Sequence, residues 1–329
     1  MRTAAIIPCR AGEPTRVASL VAALVAMHDA DLSIVVGVDG HDAPAGLDAF
    51  AHEPALTVVT GERGGPGAAR NRALAVADAE LVLLLNDDVQ PASDLVERHR
   101  AAHADGAARL VLGAAPFAIA APDRVLDRMA RETSLLFFYS TMDTGEGRRH
   151  PERDWGFRHA WTLNLSVPRT ICAPFDERLA MPMFDDLEWA HRVCTPHGAP
   201  VVYRPEAIVT HHHRYEPRQI LAREALLGHQ ALTLHRVNPA CAQAVFGAQF
   251  DGGPESIAQA KGLLTPQAAR AYAHFERLAR QPALSANVHE LFAAARVWRM
   301  AARAAGFLCA VEDAPPPEPT AILSVAASV

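Results

Sequence analysis

Leu81 to Val89 reads Leu-Val-Leu-Leu-Leu-Asn-Asp-Asp-Val, an aliphatic run that stops at two adjacent carboxylates. Neighbouring carboxylates repel, so a buried strand ending in Asp87 and Asp88 offers them to a divalent cation or to the donors of a ligand. A polar turn after a core strand has the same composition, because Asn and Asp bond their own backbone. A second acidic cluster, Asp185-Asp186-Leu187-Glu188, reads as a first helical turn, where negative charge is favourable. A carboxyl beside like charge rises in pKa and becomes suited to general-base work, although helix capping explains the same pattern. The third group is His211-His212-His213 after Ala207-Ile208-Val209. On an extended segment His211 and His213 share a face, and either imidazole can ligate a metal. Imidazole beside carboxylate suits Mn2+ or another borderline ion better than a purely oxygen-bound Mg2+. A solvated histidine run is the alternative.

Gly61-Glu62-Arg63-Gly64-Gly65-Pro66-Gly67-Ala68-Ala69-Arg70-Asn71-Arg72 is a glycine-rich loop running into a helix that carries arginines. Such a start can receive phosphate oxygens through backbone N–H groups and guanidinium forks. It matches neither the P-loop nor the dinucleotide GxGxxG register, and a flexible strand-to-helix connection remains the other reading.

The elements that position these groups alternate between short continuous apolar runs and helix-period segments over the first 120 residues. Ala4 to Ile7, Ile34 to Val38, Leu56 to Val59 and Leu81 to Leu85 read as strands, and Ala68 to Ala77 as a helix. Continuous apolar strands imply a mostly parallel sheet covered on both faces by helices. Ligands bind such sheets outside the carboxyl ends of the strands, so Asp39 and the Asp87-Asp88 pair share one rim. The polar stretch Asp143 to Arg158 reads as a mobile loop. After Arg214 helical spacing dominates, near Glu216 to Arg236, Thr265 to Leu278 and Val288 to Leu308. The expected domains are residues 1–230, a helical region 231–314, and a disordered tail 315–329 that starts in Pro315-Pro316-Pro317.

The 329 residues are 50% hydrophobic, enough for a substantial core. A net charge of -6 with no long basic block disfavours nucleic acid as a partner. The apolar stretch at the N-terminus is too short for a signal peptide, and no run approaches transmembrane length. Five scattered cysteines without CxxC spacing suit reduced thiols, hence a cytoplasmic protein without disulfides or structural zinc. The segment Ala293 to Leu308 sets Val297, Trp298, Phe307 and Leu308 among arginines. That pattern suits peripheral contact with the inner face of a membrane or, more commonly, packing against the catalytic domain or a second copy in a homodimer.

Taken in order, Ile6-Ile7-Pro8, Asp39, Gly67-Ala68-Ala69-Arg70-Asn71, Asn86-Asp87-Asp88, Asn164-Leu165-Ser166-Val167, Phe175-Asp176-Glu177-Arg178-Leu179, Asp185-Asp186-Leu187-Glu188 and His211-His212-His213 make the chain resemble a GT-A glycosyltransferase of the family 2 type over residues 3–230. The resemblance implies a Rossmann-like α/β catalytic domain with a helical C-terminal appendage. It implies that Asp88 holds Mn2+ or Mg2+ on a sugar-nucleotide diphosphate, with His211 or His213 as further ligand. Asp39 then reads a pyrimidine edge, and Pro8, Cys9, Arg10 and Glu13 line the donor. Gly67, Arg70, Asn71, Asn86 and Asp87 complete donor binding, and Asp186 maps onto the catalytic base. Asn86 stands where the family has the first acid of Asp-x-Asp, and Asp185 where it commonly has Glu. The Gln-x-x-Arg-Trp motif of processive synthases is missing, while Arg223 to Gly228 is similar to a helix of non-processive members.

The resulting expectation is a non-processive, inverting transferase that uses a UDP- or dTDP-sugar, with GDP open, and an unidentified acceptor hydroxyl. Arg70 would assist the leaving diphosphate, and the loop Asp143 to Arg158 would close over the donor. The alternatives are a catalytically silent sugar-nucleotide-binding scaffold, a retaining glycosyltransferase and, last, a nucleotidyltransferase.

Overall fold

The computed structural model describes residues 1–12, 16–119, 122–144 and 149–322. The chain divides into two compact units, Met1–Ala118 with Thr141–His213, and Ile119–Ser140 with Arg214–Val329.

The strands of the first unit are β1 (Thr3–Arg10), β2 (Leu32–Asp39), β3 (Leu56–Val59), β4 (Leu81–Leu85), β5 (Val89–Pro91), β6 (Leu110–Ala114), β7 (Asn164–Pro168) and β8 (Val201–His211). They form one sheet in the order β3-β2-β1-β4-β7-β6-β8-β5. Pairings β1–β2, β1–β4, β2–β3 and β6–β8 are parallel, while β7 and β5 run antiparallel to their neighbours. Helices follow in chain order: α1 (Val17–Val25), α2 (Gly65–Val76), α3 (Leu95–Ala102), α4 (Val125–Glu132, in the second unit) and α5 (Asp185–His197). The second unit continues with α6 (Pro217–Val237), α7 (Pro239–Phe246), α8 (Pro254–Leu263), α9 (Pro266–Ala279), α10 (Val288–Val311) and α11 (Pro319–Ile322).

The centre of the sheet follows from the apolar runs. Ala4 to Ile7 of β1 and Val82 to Leu85 of β4 are fully buried, and each large aliphatic side chain so buried contributes about 1.5–3 kcal/mol. The chain lays β2 and β3 on one side of β1 and β4 on the other, so β1 and β4 flank the point where strand order reverses. The crevice beyond their carboxyl ends is the expected ligand position. Pro8 fits this place: β4 pairs with β1 only from Thr3 to Ile6, so its missing N–H costs no ladder bond on that side.

Three features depart from the sequence-based picture. The boundary expected at residue 230 falls inside α6, a single 21-residue helix; an unbroken hydrogen-bonded helix is not divided between units. The described part of Asp143 to Arg158 is tied to β8. The Asp154 carboxylate accepts from Val201 N at 2.9 Å, Trp155 N donates to Val201 O at 2.9 Å, and the Tyr203 hydroxyl donates to Asp143 at 2.8 Å. Within the segment expected as a disordered tail, Pro319–Ile322 is a helical turn with Ile322 buried, and residues 323–329 lie outside the described residues.

In the second unit Trp298 and Phe307 of α10 are fully buried. Trp298 packs on Phe275 and Tyr272 with ring centroids 4.7 and 5.3 Å away, and Phe307 on Phe250 at 5.3 Å. Those aromatic side chains are therefore core, not a membrane face. Among the described residues no helix is long and apolar enough to cross a membrane.

Candidate functional site

At the carboxyl end of β2, Asp39 accepts hydrogen bonds at Oδ1 from Gly64 N (2.7 Å) and Gly65 N (3.0 Å), with an Arg72 terminal nitrogen 3.8 Å away. One carboxylate oxygen thus holds the glycine-rich loop, which leaves the other for a ligand's donors. Arg72 also donates to Val38 O at 2.8 Å. Sequence reasoning did not single out Arg72. Two residues along a helix from Arg70, it points the opposite way, and the helical period was the only signal for it.

Gly65 adopts φ +83°, and a Cβ there would lie 1.8 Å from Ala180 O. Gly65→Ala is therefore expected to cost about 2–4 kcal/mol, from left-handed strain plus steric overlap. Urea unfolding checks this, and an unchanged midpoint would show that the loop has an alternative conformation of equal energy.

Beside Asp39, Cys9 is buried at the end of β1. Burial, with the nearby charges of Asp87 and Asp39, pushes its thiol up to about 12, so it is a neutral wall of the site. Pro8 is buried next to it and Arg10 is exposed in register with Asp39. Glu13 lies outside the described residues.

Asn86, Asp87 and Asp88 follow β4 and are half-buried. Pairing of β5 with β8 puts Val89 opposite His211, and His212 N donates to Asp88 O at 2.8 Å. This ladder sets Asp88 Oδ2 3.1 Å from His211 Nε2 and 3.8 Å from His213 Nδ1. His211 is itself buried and stacked on Phe117 at 4.8 Å. Burial opposes ionisation of Asp88, yet the hydrogen bond and charge of His211 and the charge of His213 outweigh it and hold the carboxyl below its ordinary range. Asp88 Oδ1 is buried without a hydrogen-bond partner among the described residues. A carboxylate with one unspent oxygen beside two imidazoles fits a borderline divalent cation. Among the described residues no group of three or more His, Cys, Asp or Glu side chains is arranged to hold a metal unaided.

Arg70 is where the structure most departs from expectation. Its side chain is only 4% exposed. It donates through one terminal nitrogen to Asp185 Oδ2 at 2.8 Å and through the other to Asn86 Oδ1 at 3.1 Å, and its guanidinium lies 5.2 Å from the Phe175 ring centre. Both terminal nitrogens are engaged with protein, so Arg70 joins the metal-motif strand end to the acidic cluster rather than reaching outward to a diphosphate. Asn71 is spent likewise, accepting from Phe175 N (2.7 Å) and donating to Phe175 O (2.9 Å) and Glu177 (2.8 Å). Gly67 lets Phe175 close in, since a Cβ would stand 3.2 Å from that residue's Cβ.

α5 begins after two consecutive non-glycine residues in the left-handed region, Met183 at φ +87° and Phe184 at φ +64°. Strain of this kind costs about 1–3 kcal/mol per residue and persists where the surroundings over-determine it. The next residues are Asp185, buried against Arg70, and Asp186, half-buried, whose Oδ1 accepts from Leu187 N at 2.8 Å. Burial and the neighbouring Asp185 charge raise the Asp186 carboxyl to about 7, against a smaller lowering by Arg70.

Residues 4–158 match the family described as glycosyl transferase family 2. Over that stretch, a little under half of the chain, the sequence is similar to family 2 glycosyltransferases, and the fold is of the GT-A type. The matched stretch contains Asp39, the glycine-rich loop and Asn86 to Asp88; Asp186 and the histidines lie beyond it. Among solved structures, the chain is similar to the mannosyltransferase PcManGT from Pyrobaculum calidifontis in complex with GDP-Man and Mn2+. The identity is 16%, the coverage 95% of this chain and 87% of that one, and the TM-score 0.57. A weaker likeness is to S. aureus TarS 1-349 in complex with UDP, at 15% identity, 91% and 89% coverage and TM-score 0.47. No curated protein sequence matches the chain.

Proposed function

We propose that the enzyme transfers a sugar from a nucleotide-diphosphate donor to an acceptor hydroxyl in a single, inverting step. The observation that carries this reading is the Arg70 bridge, with Asn86 of the Asp88 strand end on one nitrogen and Asp185, next to Asp186, on the other. One guanidinium thereby couples a cation-binding edge to a carboxyl whose proton affinity lies near neutrality.

Asp186 in its ionised form takes the proton from the acceptor hydroxyl as that oxygen attacks the anomeric carbon. Asp39 offers its free oxygen to the donor base, while Pro8 and Cys9 form an apolar wall and Arg10 flanks the opening. Asp88 with His211 or His213 would hold Mn2+ or Mg2+, which when bound supplies positive charge to the leaving diphosphate. Asp87 adds to burial in keeping Cys9 neutral and contributes to the negative rim. The P. calidifontis mannosyltransferase binds GDP-Man and Mn2+, in keeping with a nucleotide-sugar donor and a divalent cation. It leaves the base open between the pyrimidine favoured by Asp39 and guanine.

The test is a thermal-shift panel of UDP-, dTDP- and GDP-sugars with and without Mn2+, followed by stereochemical assignment of the product. Metal-dependent stabilisation by one nucleotide class is expected. No stabilisation by any donor would sink the reading, and a product with retained configuration would sink the inverting step.

Asn86 tunes this arrangement. A neutral amide leaves the charge of Arg70 for Asp185. Asn86→Asp places a second carboxylate on the same guanidinium and adds negative charge near Asp186. The acid limb of the pH–rate profile is then expected to rise by about one unit, worth roughly 1.4 kcal/mol. A limb left at the parent pH would show that Arg70 does not govern the proton on Asp186.

A further inference from the structure

The helical unit holds a charge cluster that its fold does not balance. Glu224 of α6 is fully buried. It accepts from Arg299 Nε at 3.0 Å and from Arg303 Nε at 2.6 Å, both on α10, and Arg223 stands 3.9 Å away. The approach of the two helices is built for this contact. A Cβ on Gly228 would sit 1.8 Å from Arg303 O, and one on Gly306 would sit 1.8 Å from Ala225 O. Both arginines of α10 bond the carboxylate through Nε alone. Among the described residues no hydrogen bond engages the terminal nitrogens of Arg299 or Arg303. These side chains are 15% and 28% exposed and that of Arg223 is 20% exposed, so the guanidiniums are largely desolvated yet open on one side.

The charges acting on Arg299 are Glu224, Arg303 and Arg223, three cations in all around one anion. Burial is the main cause that lowers the proton affinity of Arg299; Glu224 opposes it, and Arg303 and Arg223 add to the lowering. The two oxygens of one buried carboxylate can each hold one arginine, as Glu224 holds Arg299 and Arg303. The surplus therefore lies in the net charge: three guanidiniums, with Arg223 the least closely paired, face a single carboxylate. Forked N–H groups pre-aligned by one buried carboxylate match the oxygens of a phosphoryl group.

We propose that Arg223, Arg299 and Arg303 form an anion site for a phosphoryl group, borne either by a free phosphate ester or ion or by a lipid headgroup. The site is separate from the sugar-transfer reading and stands whether or not that reading holds.

The test titrates the full-length protein with inorganic phosphate against sodium chloride at equal ionic strength, following the melting temperature. It also sediments the protein with phosphatidylglycerol or phosphatidylcholine vesicles. Phosphate is expected to stabilise beyond chloride. Arg223→Gln, which gives up no close hydrogen bond, should weaken binding about tenfold, while Glu224→Gln, which keeps the acceptor and removes the negative charge, should tighten it. A purely structural cluster would show neither change. Selective, Arg223-dependent pelleting with phosphatidylglycerol assigns the headgroup source, and a phosphate effect without pelleting assigns the soluble one. No phosphate effect beyond chloride together with no Arg223-dependent pelleting overturns the proposal, and Arg223→Gln alone decides the outcome if Glu224→Gln does not fold.

Discussion

Asp186→Asn is expected to lower sugar transfer by about 10²–10⁴-fold, the range supplied by a positioned general base. The parent enzyme should show activity rising with pH through about 7, where the Asp186 carboxyl loses its proton. The same variant makes a second, opposite-signed prediction on stability. The folded-state value is raised above the ordinary 3.8 to about 7, so the folded protein binds the extra proton between those limits. Stability is therefore lost as pH rises through that window. The amide carries no such penalty. Asp186→Asn should melt several degrees higher than the parent at pH 8, and at the parent temperature at the acid end of the window. Nucleotide release and thermal melts at several pH values check both. Parent-level turnover in the variant would remove Asp186 from the chemistry.

Asp88→Asn is the second large effect. The amide keeps the shape but not the charge that a divalent cation requires, and a turnover loss of roughly 10²–10³-fold is expected from losing that electrostatic stabilisation. Mn2+ should stimulate the parent and not the variant, and a chelator should bring the parent down to the level of the variant. His211→Ala removes the group that holds Asp88 ionised and should weaken Mn2+ stimulation without abolishing it. Equal Mn2+ stimulation of parent and Asp88→Asn would place the cation elsewhere.

The strands that carry the site were legible because each is a continuous apolar run. Ala4 to Ile7, Ile34 to Val38 and Leu81 to Leu85 read directly as buried parallel strands, and Asp39 and Asn86 to Asp88 fall at their carboxyl ends. The two left-handed residues before α5 were not legible, because nothing in Met183-Phe184 signals positive φ; that backbone is imposed by its surroundings. The β5 strand, three residues long, carries too little pattern to register on its own, although its pairing with β8 is what brings His211 to Asp88. Trp298 and Phe307 show the same limit. Their spacing among arginines suited a protein core more commonly than a lipid surface but was compatible with both, and the packed rings of Tyr272, Phe275 and Phe250 decide for the core.

What the sequence by itself determined is the class of sheet, the rim on which the acids lie and the residue types available there. These follow from local periodicity and from where apolar runs end. Only the tertiary structure decided how those side chains spend their charge. Arg70 and Asp185 are 115 positions apart and Asp88 and His211 are 123 apart. No local pattern encodes which partner a guanidinium or carboxylate will meet at such separations. Burial settles it, because a desolvated charge must find a partner within hydrogen-bond reach. Arg70 therefore turns inward to Asp185 and Asn86 rather than outward to the donor.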